Sequence, residues 1–174
     1  MFIPHLVRVH PPITHLTVAD DDNLPWSDLR LLIVSLSSTL SSLAIRQEGS
    51  LEEDVAPSVH SAAPLLASDV PHLSRLAIAL GGELFSPVNK FLAVDSLTTI
   101  ELGTDDPNFT RLLVDLVAGS RGTTNWPQLE ELSYTSPSVT LEDWLALSDV
   151  CERRGIDFAP GFERDGDWPE EFLD

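Results

Sequence analysis

Leu73-Ser74-Arg75-Leu76-Ala77-Ile78 sets three apolar residues at a first position, at +3 and at +5. The figure returns as Ile13, Leu16 and Val18, as Leu40, Leu43 and Ile45, as Leu97, Ile100 and Leu102, and as Leu129, Leu132 and Tyr134. Its last two members stand two apart with a small or polar residue between them, which is the period of a strand with one buried face. Strands are therefore predicted over residues 13–18, 40–45, 73–78, 97–102 and 129–134, with an edge strand over 156–158.

Between the strands the apolar residues change to a helical period. Trp26, Leu29, Leu32, Ile33 and Leu36 share one face, with Ser27 or Asp28 as candidate caps. Val59, Ala62, Ala63 and Leu66 outline a second helix that Pro64 interrupts. Ser86 and Pro87 read as an N-cap and a first helical position ahead of Val88, Phe91 and Leu92. Phe109, Leu112, Leu113 and Leu116 give the clearest helix, ending at Gly119. Thr140 caps a last helix that turns Leu141, Trp144, Leu145, Ser148 and Cys151 inward, with Arg153 and Arg154 in its final turn and Gly155 as its stop.

Strands joined through helices run parallel, with right-handed crossovers. The central apolar residues Leu16, Leu43, Leu76, Ile100 and Leu132 follow at intervals of 27, 33, 24 and 32 residues. That repeat points to a leucine-rich-repeat solenoid, an α/β fold with a parallel single-sided sheet on the concave face and helices on the convex face. About five to six repeats fill residues 11–158. Residues 1–10 are a lead-in or cap, and residues 159–174 an acidic cap or tail whose Phe162, Trp168 and Phe172 are expected to cover the last repeat. A doubly wound sheet calls for near-continuous apolar strands and a glycine-rich first turn, and this sequence has neither.

With 28 acidic residues against 10 basic ones the formal charge is −18, which opposes a nucleic-acid partner. Cys151 is the only cysteine, so no disulfide framework is expected. No apolar run is long enough to cross a membrane and the start does not read as a secretory signal, so the expected location is cytoplasmic or nuclear.

Pro11, Pro71 and Pro127 each stand two residues before the first apolar position of a strand. With their surroundings, Val70-Pro71-His72-Leu73-Ser74-Arg75-Leu76 and Trp126-Pro127-Gln128-Leu129-Glu130-Glu131-Leu132, they resemble the P-x-L-x-x-L repeats of fungal F-box/leucine-rich-repeat proteins. The run from Trp144 to Ile156 is similar to the last helix and edge strand of that family, and the likeness spans residues 11–158. In such proteins the F-box joins a ubiquitin-ligase scaffold and the repeats hold a substrate. Nothing upstream of the first repeat is long enough for an F-box, so the resemblance implies the substrate-holding half alone.

Alternation turns His15, Ser42, Arg75, Thr99 and Glu131 outward in one column, Thr17, Ala44, Ala77, Glu101 and Ser133 in a second, and Ala19, Arg46, Ala79, Gly103 and Thr135 in a third. The partner-binding candidates are His15, Thr17, Ser42, Arg46, Arg75, Thr99, Glu101, Glu131 and Ser133. Arg46 and Arg75 in the middle repeats and Glu101 and Glu131 in the later ones suggest a polarised groove for a charged peptide. An ordinary solvated sheet face is the plainer reading of any one of them.

Asp20-Asp21-Asp22 lacks the ligand spacing of a calcium loop, and His5, His10 and His15 match no zinc spacing. Neither a cofactor nor a metal is expected. Cys151 reads as a small core residue. The function expected is a non-enzymatic protein-binding scaffold. Two rivals are a small intracellular α/β hydrolase-like enzyme and a truncated repeat remnant that self-associates.

Overall fold

β1 (His15–Asp20), β2 (Ser42–Gln47), β3 (Arg75–Leu80), β4 (Thr99–Thr104), β5 (Glu131–Thr135) and β6 (Asp157–Pro160) form one sheet in chain order. Every neighbouring pair is parallel. The described helices are α1 (Trp26–Ser35), α2 (Phe85–Asn89), α3 (Phe109–Ala118) and α4 (Leu141–Arg154), so the chain is of the α/β class. This computed structural model describes residues 12–20, 25–47, 63–80, 85–119 and 124–160. The predicted lead-in over residues 1–10 and all of the tail beyond Pro160 lie outside them.

Register puts Leu16, Leu43, Leu76, Ile100, Leu132 and Phe158 in one row, and Val18, Ile45, Ile78, Leu102 and Tyr134 in the next. Both rows belong to one core with Trp26, Leu29, Ile33, Phe91, Phe109, Leu113, Leu147 and Cys151 from the helices and the loop before β4. The helices thus pack on a single face of the sheet.

Each of the first five strands begins two residues later than predicted. The reason is parity: a residue three before another falls on the opposite face of a straight strand. Leu40, Leu73, Leu97 and Leu129 are nevertheless buried, because each sits in the turn that leads into its strand.

A hydrogen-bond relay recurs at those turns. The Thr14 carbonyl accepts from the backbone N–H groups of Ser41 and Ser42, at 2.8 and 3.0 Å. The Ser41 carbonyl accepts in the same way from Ser74 and Arg75, the Ser74 carbonyl from Thr98 and Thr99, and the Thr98 carbonyl from Glu130 and Glu131. Hydroxyls join the relay: Ser41 Oγ donates to the Thr14 carbonyl, Ser74 Oγ to that of Ser41, and Thr98 Oγ1 to that of Ser74. Ser and Thr in this column supply a donor where the ladder has yet to begin.

The helices depart from expectation in four places. α1 is preceded by Pro25 with no side-chain cap, so neither Ser27 nor Asp28 caps it. The helix expected over residues 59–66 is not formed by its described part: residues 63–65 are not helical and Leu66 makes a parallel bridge to Ala93, while residues 59–62 lie outside the described set. α2 starts at Phe85, which places Ser86 within it rather than at its cap. Thr140 does cap α4, its hydroxyl accepting from the Asp143 N–H at 3.1 Å. The buried face of α4, however, is Leu147, Val150 and Cys151, and Leu141 and Leu145 are 75% and 58% exposed. The expected inward set at Leu141 and Leu145 is therefore overturned.

Arg154 ends α4 as a clasp. Its guanidinium donates to the carbonyls of Val117 (2.7 Å), Trp126 (2.8 Å) and Asn125 (3.3 Å), and Asn125 Nδ2 donates to Leu116 O. The last-turn carbonyls of α3 thus meet donors from two later segments, and the positive charge sits at the negative end of that helix. Trp126, fully buried, holds a φ of +48°, a region that costs a bulky residue about 1 kcal/mol or more. Its indole N–H donates to Phe91 O at 3.1 Å while its carbonyl takes Arg154, so two bonds hold the strained backbone. Arg154→Met keeps the aliphatic stem and removes the donors. It is expected to lower stability by about 2–3 kcal/mol, read as a lower urea midpoint at unchanged slope.

Candidate functional site

The sheet face away from the helices carries the intervening residues of each strand, and register sorts them into three rows. His15, Ser42, Arg75, Thr99, Glu131 and Asp157 form the first. Thr17, Ala44, Ala77, Glu101 and Ser133 form the second, and Ala19, Arg46, Ala79, Gly103 and Thr135 the third. All nine predicted partner-binding residues stand on this face, within two strands of another. Asp157 extends the first row, and the sequence signal for it was the edge strand itself.

The rows are not uniformly open. His15, Thr17, Arg46, Glu131 and Asp157 are exposed, and Arg75, Thr99 and Ser133 are half-buried. Ser42, Ala44, Ala77 and Glu101 are buried although their position is outward. The centre of the face is therefore closed, and its most exposed side chains lie toward the two sides.

Charge is distributed differently from a simple basic-to-acidic gradient. Arg75 Nη2 lies 3.5 Å from Glu101 Oε1, two residues further along the neighbouring strand. The pair crosses the rectangle whose other corners are Ala77 and Thr99, and a methyl group at Ala77 leaves room for it. Thr99 Oγ1 reaches Glu131 Oε2 at 3.4 Å. The middle of the face is thus neutralised internally. Arg46 is left as the exposed cation on β2, and Glu131 and Asp157 face each other in register on β5 and β6. Like charges directly opposite on neighbouring strands destabilise each other by a few tenths of a kcal/mol.

On the helix side, burial pushes the Cys151 thiol up to about 11, with Arg154 pulling weakly the other way. A thiol held protonated in the core is a packing group, not a nucleophile. Burial likewise raises Tyr134, whose hydroxyl pairs with Thr110 Oγ1 at 2.9 Å. Among the described residues no group of three or more His, Cys, Asp or Glu is placed to hold a metal ion. His5 and His10, and Asp21 and Asp22, lie outside them. No described helix is long and apolar enough to cross a membrane.

No protein-family model matches the chain, and neither a curated protein nor a solved structure matches it.

Proposed function

We propose that this chain is a non-enzymatic, protein-binding leucine-rich-repeat solenoid that holds its partner on the outward sheet face. Support for the solenoid comes from consecutive rungs in register, Ser and Thr hydroxyls joining the backbone relay at the turns before β2, β3 and β4, and helices on one face. The observation that carries the binding reading is the charge order along that face. An exposed arginine stands on β2, a self-neutralised pair in the middle, and two carboxylates in register on β5 and β6. An extended peptide or loop crossing the strands, with an acidic side chain toward Arg46 and a basic one toward Glu131 and Asp157, fits that order and relieves the repulsion between the two acids. This is the substrate-holding role that the resemblance to F-box/leucine-rich-repeat proteins implies. A cytoplasmic or nuclear setting accords with it.

Two substitutions separate binding from stability. Arg46→Glu, at an exposed position, is expected to weaken capture of partners from native cell extract at least tenfold, about 1.4 kcal/mol, with an unchanged melting temperature. Arg153→Glu makes the same change of charge on the helix side and serves as the control. Equal recovery by the wild type and Arg46→Glu rejects the face as the site. Arg75→Glu is expected to behave otherwise, because it sets a second carboxylate against the largely buried Glu101 and lowers stability by about 1–3 kcal/mol. Thermal unfolding of the two variants side by side measures the difference.

A further inference from the structure

Arg46 and Glu131 occupy opposite corners of the outward face. Arg46 is in the third row on β2, Glu131 is in the first row on β5, and Asp157 stands beside Glu131 on β6. Two rows span about 13 Å along the strands, and three strand spacings about 14 Å across them. The two backbone positions are therefore about 20 Å apart on the diagonal. Between them the face is low. Arg46, Ala79 and Gly103 are neighbours in the third row, and Ala44, Ala77 and Glu101 in the second. Ala77 is buried, and Ala79 and Gly103 are half-buried. A Cβ built on Gly103 would lie 3.5 Å from that of Ala79, so these positions adjoin and nothing longer than a methyl group rises from them.

We propose that this face selects an extended segment whose acidic and basic residues stand six positions apart, with an apolar residue two positions from the acid. The proposal rests on the binding reading above and adds to it the pattern that the partner carries. An extended chain advances about 3.3 Å per residue and turns every second side chain to the same side. Six residues cover about 20 Å, the length of the diagonal, and put both charges on the side that faces the sheet. Four residues cover about 13 Å and fall short. Five or seven turn one charge to solvent. With the acid over Arg46, the side chain two positions on lies over β3 between Ala79 and Ala77, where methyl groups leave a shallow seat for a leucine. The side chain four positions on lies over Glu101 and Thr99, already engaged with Arg75 and Glu131, so a small polar residue suits it. The base then meets Glu131 and Asp157 together and lowers the repulsion between them. Either chain direction satisfies this spacing.

Exposed ion pairs are individually weak, so a short peptide is expected to bind with a Kd of roughly 1 mM, within reach of an NMR titration. The full chain, labelled with nitrogen-15, is titrated at low salt with two end-blocked peptides of one composition. In Gly-Glu-Ser-Leu-Ser-Ser-Ser-Lys-Gly the charges stand six apart, and in Gly-Glu-Ser-Leu-Ser-Ser-Lys-Ser-Gly they stand five apart. The first is expected to shift the backbone amides of Arg46, Ala77 and Glu131 and to bind about fivefold more tightly than the second. That advantage is expected to vanish in Arg46→Glu, whose unchanged spectrum on the helix side verifies the fold, and to shrink with added salt. Equal affinities with the same amides moving overturn the spacing and leave the face standing as a binding site. Amides that move with neither peptide also overturn it, and capture from extract by the wild type and Arg46→Glu then decides separately whether the face binds a partner.

Discussion

One backbone carbonyl per rung holds the sheet in register. Thr14, Ser41, Ser74 and Thr98 each place a carbonyl where the next rung delivers two N–H groups, at 2.8 to 3.1 Å. A parallel strand has no hairpin to set its register, and a slip of one residue exchanges its two faces. Anchoring the start of each strand before its ladder begins removes that freedom. The apolar rows then follow: Leu43, Leu76, Ile100 and Leu132 line up because the carbonyls two residues upstream do.

The same anchoring shapes the opposite face. Residues between the apolar positions are forced into rows whether or not they suit one another, and the structure shows both outcomes. Arg75 and Glu101 are offset by two residues and meet across a gap that Ala77 leaves open. Glu131 and Asp157 are set directly opposite with no such offset. The small side chain of Ala77 leaves the ion pair room to lie across the middle of the face. The ends carry the exposed charge.

How much of this was legible in the sequence depended on the range of the interaction involved. The rows were readable because period two is local, and every triplet carried it. Strand starts were misplaced because the first leucine of each triplet is apolar for a turn rather than for the strand, and composition does not separate the two. Helix α4 misled for a different reason: Leu141, Trp144, Leu145 and Ser148 form a good helical stripe, but so do Leu147, Val150 and Cys151. Only the position of α3 chooses between them. The Arg154 clasp was invisible since its acceptors are carbonyls 28 to 37 residues away, and a carbonyl leaves no mark in a sequence. Of the outward face, the membership of each row was legible; the pairing of Arg75 with Glu101 required knowing that one strand sits beside the other.

Acidity has a structural place in a sheet of this kind. Parallel strands stacked in chain order leave two edges, at β1 and β6, and an exposed edge is a template for another strand. Leu16 and Val18 on β1 and Phe158 on β6 are each less buried than their row-mates inside the sheet, so at both edges of the described sheet apolar side chains are partly uncovered. Asp20 closes β1 and Asp157 opens β6. A second sheet approaching either edge would bring like charges together, on a chain whose formal charge is already −18. The excess of carboxylates therefore opposes edge-to-edge growth.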